Sequence, residues 1–204
     1  DDAAVYRLND EQAIVATTDF FTPVVDDPYD FGRIAATNAI SDVYAMGGQV
    51  LLALSIAAFP PQLPAQAVGE ILRGPAEKVA EAGGVIAGGH TIDSVEPIYG
   101  LVVVGLVNPA HLKRNAAARP GDRLILGKQL GIGIYSTALK REALSASDYE
   151  AMIASATQLN TPGPDLAALP GVHALTDVTG FGLAGHALEI AKGANATVVI
   201  DWSR

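Results

Sequence analysis

The segment Asp27–Gly48 constrains the fold of this chain most, because its ends and one of its faces follow directly from the residues. Asp27 suits a helix N-cap, the proline after it suits the first helical position, and Gly47 with the glycine after it supplies a C-terminal stop. Asn38 and Asp42 are four residues apart, so both side chains lie on one face of the predicted helix. The pattern favours an amphipathic helix whose polar stripe either faces water or points at a shared site.

Apolar runs bounded by turn residues predict strands on both sides of this helix. The predicted strands of the first half are Ala3–Leu8 and Ala13–Thr18, which form a hairpin, followed by Val50–Phe59, Val85–Ala87 and Ile98–Val107. A second helix is predicted over Leu63–Ala82, and Gly74-Pro75 could kink or split it. This order of elements predicts an α+β layer structure with helices covering one face of a sheet.

Residues 108–121 are the most loop-like stretch of the chain, so we expect a domain boundary there. We assign residues 1–110 to an N-terminal domain and residues 111–204 to an incomplete C-terminal domain. The strands predicted for the second domain are Arg123–Leu126, His173–Asp177 and Thr197–Asp201. The helices predicted there run from Ile134 to about Ala143, over Ser147–Leu159, and from the glycines after Asp177 to about Lys192, with a break at 161–164.

The composition of the chain argues against several kinds of binding site and partner. The net charge of −9 argues against direct binding to nucleic acid or to an anionic membrane surface. No apolar run reaches the roughly 18 residues that a membrane-spanning helix needs. The absence of cysteine excludes disulfides and thiolate metal sites within these 204 residues. An acidic protein that handles phosphates needs divalent cations between itself and its substrate.

Four acidic residues end apolar strands or lie on the first predicted helix: Asp2, Asp19, Asp42 and Asp177. Acids at strand ends converge on one crevice, and clustered carboxylates need cations to offset their mutual repulsion. Oxygen ligands without histidine or cysteine predict Mg²⁺, which commonly bridges to substrate phosphates. These acids could instead be turn and cap residues. That alternative is weaker for Asp19 and Asp177, which adjoin apolar residues, because a buried acid needs partners.

Two glycine-rich stretches are candidate anion sites. The stretch from Gly88 to Thr91 follows a strand and predicts a turn that exposes backbone groups to a phosphate or a base, although a double glycine is more often only a turn. The stretch from Gly180 to Gly185 matches G-x-G-x-x-G, and Asp201 ends a predicted strand about 20 residues later, as a dinucleotide site requires. We rank the dinucleotide interpretation lower, because Asp177 would repel a pyrophosphate unless a cation intervened. His186 is interpreted as a packing residue.

Five motifs, in this order, closely resemble the selenophosphate synthetase (selenide, water dikinase) family. They are DDAAVY (Asp1–Tyr6), TTDFF (Thr17–Phe21), DFGRIAATNAISDVYAMGG (Asp30–Gly48), AGGHT (Ala87–Thr91) and TDVTGFGLAGH (Thr176–His186). The resemblance covers essentially the whole chain, and the NAISDVYAMGG and TDVTGFGLAGH segments are its most specific parts. It implies the two-domain fold of aminoimidazole ribonucleotide synthetase and its relatives, with an N-terminal mixed sheet covered by helices and a C-terminal α/β domain.

The resemblance also implies an activity and its site residues. Members of the family convert ATP, selenide and water into selenophosphate, AMP and phosphate, require Mg²⁺, and supply selenocysteine and seleno-tRNA synthesis. By similarity, the metal ligands are Asp2, Asp42 and Asp177. The residues that would bind ATP are Asp19, Asp42, Gly89, His90 and Thr91. The resemblance further implies a cytoplasmic homodimer whose N-terminal sheets pair across the interface.

In the family, a catalytic cysteine or selenocysteine and an essential lysine precede the motif that corresponds to Asp1–Tyr6, so we assign no catalytic residue within this span. We therefore expect the 204-residue chain alone to bind Mg-ATP weakly and not to turn over. Two alternatives stay open. An ATP-dependent kinase or synthetase of the same fold would release ADP instead of AMP. A non-catalytic nucleotide-binding relative would have no need for the full set of acids.

Overall fold

A computed structural model describes residues 1–201. Residues 1–107, which we call the sheet region, contain β1 (Ala4–Arg7), β2 (Ala13–Phe21), α1 (Pro28–Ala45), β3 (Gln49–Phe59), α2 (Ala65–Glu81), β4 (Val85–Asp93) and β5 (Ile98–Val107). Residues 108–201, which we call the helical region, begin with two short 3₁₀ turns and contain α3 (Ile132–Lys140), α4 (Ala146–Ala156), α5 (Gly163–Ala168) and α6 (Gly182–Gly193).

The five strands form one mixed sheet in the order β1-β2-β5-β3-β4. β3 and β4 are parallel and are joined through α2, whereas the other neighbouring strands are antiparallel. β3 and β5 lie inside the sheet with partners on both sides, which fits their near-continuous apolar sequences. The hairpin and the α+β layer order predicted from the sequence are confirmed.

The core lies between the two helices and one face of the sheet, which we call the inner face. Alternate residues of β2 starting at Ala13 point to this face, and Val15 is fully buried there. Val103 of β5 and Ile40 of α1 are also fully buried, so α1 seals the middle of the sheet. The inner face of β2 becomes polar after Val15, and this change positions the site described below.

The first predicted helix is confirmed with both of its ends. The Asp27 side chain accepts a hydrogen bond from the backbone N–H of Asp30 at 2.8 Å, as an N-cap does. Gly47 follows the last turn with φ of 78°, a conformation that glycine adopts without strain. Where Gly74-Pro75 could have split the second helix, α2 instead runs unbroken through Pro75. At this point α2 packs so closely on α1 that a Cβ at Gly74 would lie 2.7 Å from the Tyr29 carbonyl oxygen.

Several sequence predictions about strands are wrong. β4 does not stop at Ala87 but continues to Asp93, so the stretch from Gly88 to Thr91 is strand rather than turn. It continues because β3 offers a parallel ladder along this whole length, in which Ser55 pairs with Gly89. The segments predicted as strands at Arg123–Leu126, His173–Asp177 and Thr197–Asp201 are not strands among residues 1–201. A strand forms only where a neighbouring backbone accepts and donates its hydrogen bonds.

The helical region departs from the sequence prediction in one more place. The predicted break at 161–164 contains the start of the short helix α5. Ser145, rather than Ser147, caps α4 and accepts a hydrogen bond from the backbone N–H of Asp148. No helix among residues 1–201 is long and apolar enough to cross a membrane.

Candidate acidic metal site

Two side-chain hydrogen bonds join the polar face of β2 to the polar face of α1. The Thr17 hydroxyl donates a hydrogen bond to the Asp42 carboxylate at 2.5 Å, and the Asn38 amide donates one to the Asp19 carboxylate at 2.6 Å. Thr17 and Asp19 are two residues apart on a strand and so share a face, while Asn38 and Asp42 are one helical turn apart. The shared helix face predicted for Asn38 and Asp42 is therefore confirmed, and it points at the strand rather than at water.

Three of the four predicted acids converge on one point. One carboxylate oxygen from each of Asp2, Asp42 and Asp177 lies within 4.8 Å of the other two. Asp2 precedes β1, Asp42 lies on α1, and Asp177 belongs to the irregular segment before α6. The sheet region thus supplies two of these acids and the helical region supplies the third.

Two oxygens of this cluster lack a hydrogen-bond donor among the described residues. Asp2 accepts a hydrogen bond from the Thr176 hydroxyl at 2.8 Å through Oδ1, but its Oδ2 is buried without a partner. Oδ2 of Asp177 is likewise buried without a partner. A buried carboxylate oxygen with no donor is costly, and a bound cation would satisfy it. The set of oxygen donors fits Mg²⁺, which takes carboxylate ligands.

The pKa values of the clustered carboxylates also indicate a cation site. Burial, followed by the negative charges of Asp177, Asp19 and Asp2, raises the pKa of Asp42 to about 8, although the hydrogen bond from Thr17 lowers it. Burial also raises the pKa values of Asp2, Asp19 and Asp177. Without a cation, the cluster therefore holds protons at a pH at which an ordinary aspartate is ionised. A metal ion would have to displace these protons, so its binding is linked to pH.

The predicted ATP residues on β4 lie apart from the acids but in line with Asp19. One row of paired residues runs across the sheet through Asp19, Leu101, Ser55 and Gly89. Paired residues project to the same face, so Gly89 and Asp19 are both on the inner face, about 14 Å apart across three strand spacings. A Cβ at Gly89 would lie 2.3 Å from the Ser55 carbonyl oxygen, so only glycine fits there. His90 and Thr91 follow it and are exposed.

His186 does more than pack. It is buried, and its Nε2 lies 3.1 Å from the backbone nitrogen of Thr179, whose N–H donates to it. Its Nδ1 lies 3.3 Å from the Glu189 carboxylate. The contact with Thr179 joins the turn after Asp177 to α6. The dinucleotide interpretation of the stretch from Gly180 is wrong, because the strand that should precede it is not formed.

Sequence reasoning missed four polar residues beside the cluster: Thr17, Ser41, Thr176 and Lys128. The first three could have been found from the sequence, because each lies within two residues of a predicted acid. Nothing in the sequence indicated a role for Lys128. Its ammonium group donates hydrogen bonds to the carbonyl oxygens of Ser155, in the last turn of α4, and of Gln158, just after it. Its positive charge also lowers the pKa of Asp177.

Comparison with known proteins identifies the family. Residues 1–107 match the family described as AIR synthase related protein, N-terminal domain, and residues 119–204 match AIR synthase related protein, C-terminal domain. The chain belongs to the AIR synthase related protein family.

A relative of this AIR synthase related chain confirms the resemblance found in the motifs. The protein named selenide, water dikinase from Dechloromonas aromatica (strain RCB) is 67% identical over 204 residues, which are 99% of this chain and 58% of the relative. The chain thus spans a little more than half the length of this curated relative.

Solved structures confirm the predicted fold. A structure of AaThiL complexed with AMPPCP and TMP superposes with a TM-score of 0.83 at 20% identity, covering 96% of this chain and 64% of that chain. Hydrogenase maturation protein HypE in complex with ATP gives a TM-score of 0.76 at 22% identity, covering 95% of this chain and 59% of that chain. These likenesses bear on the fold alone.

Proposed function

We propose that this chain is the ATP- and Mg²⁺-binding part of an enzyme that converts ATP, selenide and water into selenophosphate, AMP and phosphate. The observation that carries the proposal is the cluster of Asp2, Asp42 and Asp177, with its two unsatisfied buried oxygens, in a chain 67% identical to a selenide, water dikinase. The proposal extends to selenophosphate for selenocysteine and seleno-tRNA synthesis in the cytoplasm.

Each acid has a role in this proposal. Asp2, Asp42 and Asp177 would hold Mg²⁺, and the chemistry that the metal supplies is neutralisation and positioning of the phosphate chain. Thr17 and Thr176 hold two of these carboxylates in place through hydrogen bonds.

The nucleotide would extend from the acids along the inner face of the sheet. Asp19, oriented by Asn38, stands at the acidic end, and Gly89 stands about 14 Å away on β4 with Thr91 on the same face, while His90 between them projects to the opposite face. ATP bound to HypE, a protein of the same fold, supports this assignment by analogy only. The division into domains at residues 1–110 and 111–204 remains a prediction and places Asp177 in the second domain.

We also propose that the protein is a homodimer that pairs through the outer face of the sheet, opposite the helices. Tyr6 is 71% exposed, Phe20 53%, Leu54 38% and Ile92 55%, and these side chains lie on that face. Among residues 1–201 no helix covers it. A contiguous apolar surface of this kind marks an interaction site. We expect Phe20→Glu to convert the dimer to a monomer in analytical ultracentrifugation, while Phe181→Glu, on the helical region, leaves it a dimer.

The proposed reaction is tested by ³¹P NMR on the full-length protein with Mg-ATP, with and without selenide, under anaerobic conditions. A new selenide-dependent phosphorus signal, with AMP and phosphate, is the expected result. Release of ADP instead would make the protein a kinase or synthetase of the same fold. If ATP binds without turnover, and binding is lost in Asp42→Ala, the protein is a nucleotide-binding relative without this activity.

A further inference from the structure

Two threonine hydroxyls each occupy one oxygen of an acid in the cluster. The Thr176 hydroxyl donates a hydrogen bond to Oδ1 of Asp2 at 2.8 Å, and the Thr17 hydroxyl donates one to Oδ2 of Asp42 at 2.5 Å. An ionised carboxylate only accepts hydrogen bonds, so the threonine supplies the proton in both pairs. Thr17 belongs to β2, whereas Thr176 belongs to the segment before α6. The same arrangement is therefore built twice, from two separate segments of the chain.

Each of these hydrogen bonds leaves the second oxygen of its carboxylate for another partner. In Asp2 the second oxygen is Oδ2, which is buried and has no hydrogen-bond partner. In Asp42 it is Oδ1. The Thr176 hydroxyl also lies 3.3 Å from the carbonyl oxygen of Asp177, but this acceptor is farther away than Asp2, so the proton goes to Asp2. Asp2 and Asp42 can therefore each present one oxygen to a cation while the other oxygen is held in a hydrogen bond.

The number of oxygens that a carboxylate offers distinguishes two common divalent cations. Mg²⁺ requires a near-ideal octahedron of about six ligands, whereas Ca²⁺ takes about six to eight oxygens in a flexible geometry and often binds both oxygens of one carboxylate. A cation that bound both oxygens of Asp2 or Asp42 would compete with a threonine proton at one of them. Acids that offer one oxygen each therefore suit Mg²⁺ better than Ca²⁺.

We propose that Thr17 and Thr176 are positioning residues that set the metal specificity of the site, because they restrict Asp42 and Asp2 to one metal-facing oxygen each and so favour Mg²⁺ over Ca²⁺. The inference rests on the proposed metal site and adds its selectivity. Neither threonine touches the cation. Each acts through the carboxylate that it holds, and loss of such a supporting group typically changes metal affinity about 10–100-fold.

Valine and serine substitutions separate the hydroxyl from the shape of the side chain. Thr176→Val keeps the branched shape and removes the hydroxyl, whereas Thr176→Ser keeps the hydroxyl, and the same pair of changes applies at Thr17. Tyr149→Phe is a further control. The Tyr149 hydroxyl donates a hydrogen bond to Asp30 at 2.9 Å and, like the Thr176 hydroxyl, joins the helical region to the sheet region, but Asp30 is not part of the acid cluster. Weaker docking of the regions would affect Thr176→Val and Tyr149→Phe alike.

The test measures Mn²⁺ binding by electron paramagnetic resonance on the full-length protein without nucleotide, and then displacement of Mn²⁺ by Mg²⁺ and by Ca²⁺. The quantity compared is the ratio of the Ca²⁺ affinity to the Mg²⁺ affinity. We expect Thr176→Val and Thr17→Val each to raise this ratio about 10-fold. The two serine variants and Tyr149→Phe should leave it unchanged. Thermal unfolding of each variant reports stability separately.

The outcomes are distinguishable. An unchanged ratio in both valine variants, or equal weakening of Mg²⁺ and Ca²⁺ binding, would overturn the role in specificity and leave the metal site standing. A raised ratio in the serine variants or in Tyr149→Phe would also overturn it, because the hydroxyl groups of the two threonines would then not be the cause. Absence of Mn²⁺ binding in the wild type would overturn the metal site itself. Should Thr176→Val fail to fold, Thr17→Val and Thr17→Ser still decide the question.

Discussion

The sheet region and the helical region contribute to one site but are held together in different ways. In the sheet region, α1 and the inner strand faces bury side chains such as Val15, Ile40 and Val103 completely. In the helical region, Ile125 is 92% exposed and Phe181 77%, and few apolar side chains are buried. Apolar packing therefore makes the sheet region a firm scaffold, whereas Asp177 reaches the site on a segment fixed mainly by polar contacts.

The position of Asp177 in the metal site depends on a few polar contacts between the two regions. Three hydrogen bonds between described side chains join the two regions: Thr176 to Asp2 and Asn160 to Ser41 lie at the site, and Tyr149 to Asp30 lies at the first turn of α1. Each typically contributes only about 0.5–1.5 kcal/mol. We infer that the placement of Asp177 is more sensitive to single polar substitutions than the placement of Asp42.

The largest effect should come from the core of the sheet region. Phe31 is 1% exposed and packs edge-on to Phe21 with ring centroids 6.0 Å apart. We expect Phe31→Ala to lower the free energy of unfolding by about 3–5 kcal/mol in urea denaturation, because it leaves a cavity. Phe181→Ala, in the exposed position, should change it by less than about 0.5 kcal/mol. Equal losses would contradict the contrast between the two regions.

The next largest effect concerns the acids themselves. Asp42→Asn and Asp177→Asn should each lower Mn²⁺ affinity on the order of 100-fold or more, beyond the range expected for a supporting group. Because each change removes a charge that repels its neighbours, the metal-free variants should unfold at a higher temperature than the wild type at pH 8. Asp10→Asn, on the exposed hairpin turn, is the control and should change neither quantity. A large loss in only one variant would show that the two regions do not share a site.

The melting temperature of the metal-free protein should depend on pH through the titration of Asp42 in the acid cluster. The folded-state pKa of Asp42 is raised from 3.8 to about 8, so the protonated form is favoured by folding. Its stabilising contribution is fully present below about pH 4 and is lost as the pH rises through about 8. Without metal, the melting temperature should therefore fall over this window, and Mg²⁺ should raise it more at pH 9 than at pH 6. Differential scanning fluorimetry with Mg²⁺ or with chelator measures this.

Asp42→Asn is the internal control for that experiment, because it removes the titrating group and should flatten the pH dependence. An unchanged slope in this variant would mean that other groups dominate the titration.

The smallest effect is expected at Gly69, which lies on the scaffold outside the proposed site. Gly69 lies exposed within α2, and a Cβ there would meet no atom within 4 Å. We expect Gly69→Ala to raise the free energy of unfolding by about 0.5–1 kcal/mol, because alanine loses less backbone freedom on folding. Gly89→Ala should instead destabilise the protein by about 1–3 kcal/mol, because its Cβ would collide with β3. Mn²⁺ affinity should stay unchanged in Gly69→Ala.

Much of the fold could be predicted from the sequence. α1 was predictable at both ends, because caps and stops depend on residues within a few positions. The apolar runs that became β2, β3 and β5 were predictable because burial requires apolar side chains. Convergence of the four acids on one crevice was expected from their places at the ends of apolar runs and on the first helix, whereas the smaller set of Asp2, Asp42 and Asp177 came from the family resemblance. The Asn160 contact was not predictable, since nothing near it in sequence indicates a partner 119 residues away.

The sequence by itself determined the capped helix α1, the apolar strands and the set of acids, all of which depend on local pattern. Only the tertiary structure decided where strands end. β4 continues through Gly88 and Gly89 because β3 lies alongside it, whereas residues 173–177 do not form a strand among the described residues. The tertiary structure also decided which polar groups meet, as Asn38 meets Asp19 and Asn160 meets Ser41. The physical reason is the same in both cases: a backbone or side-chain hydrogen bond needs a partner, and the partner's position is set by the packing of distant segments.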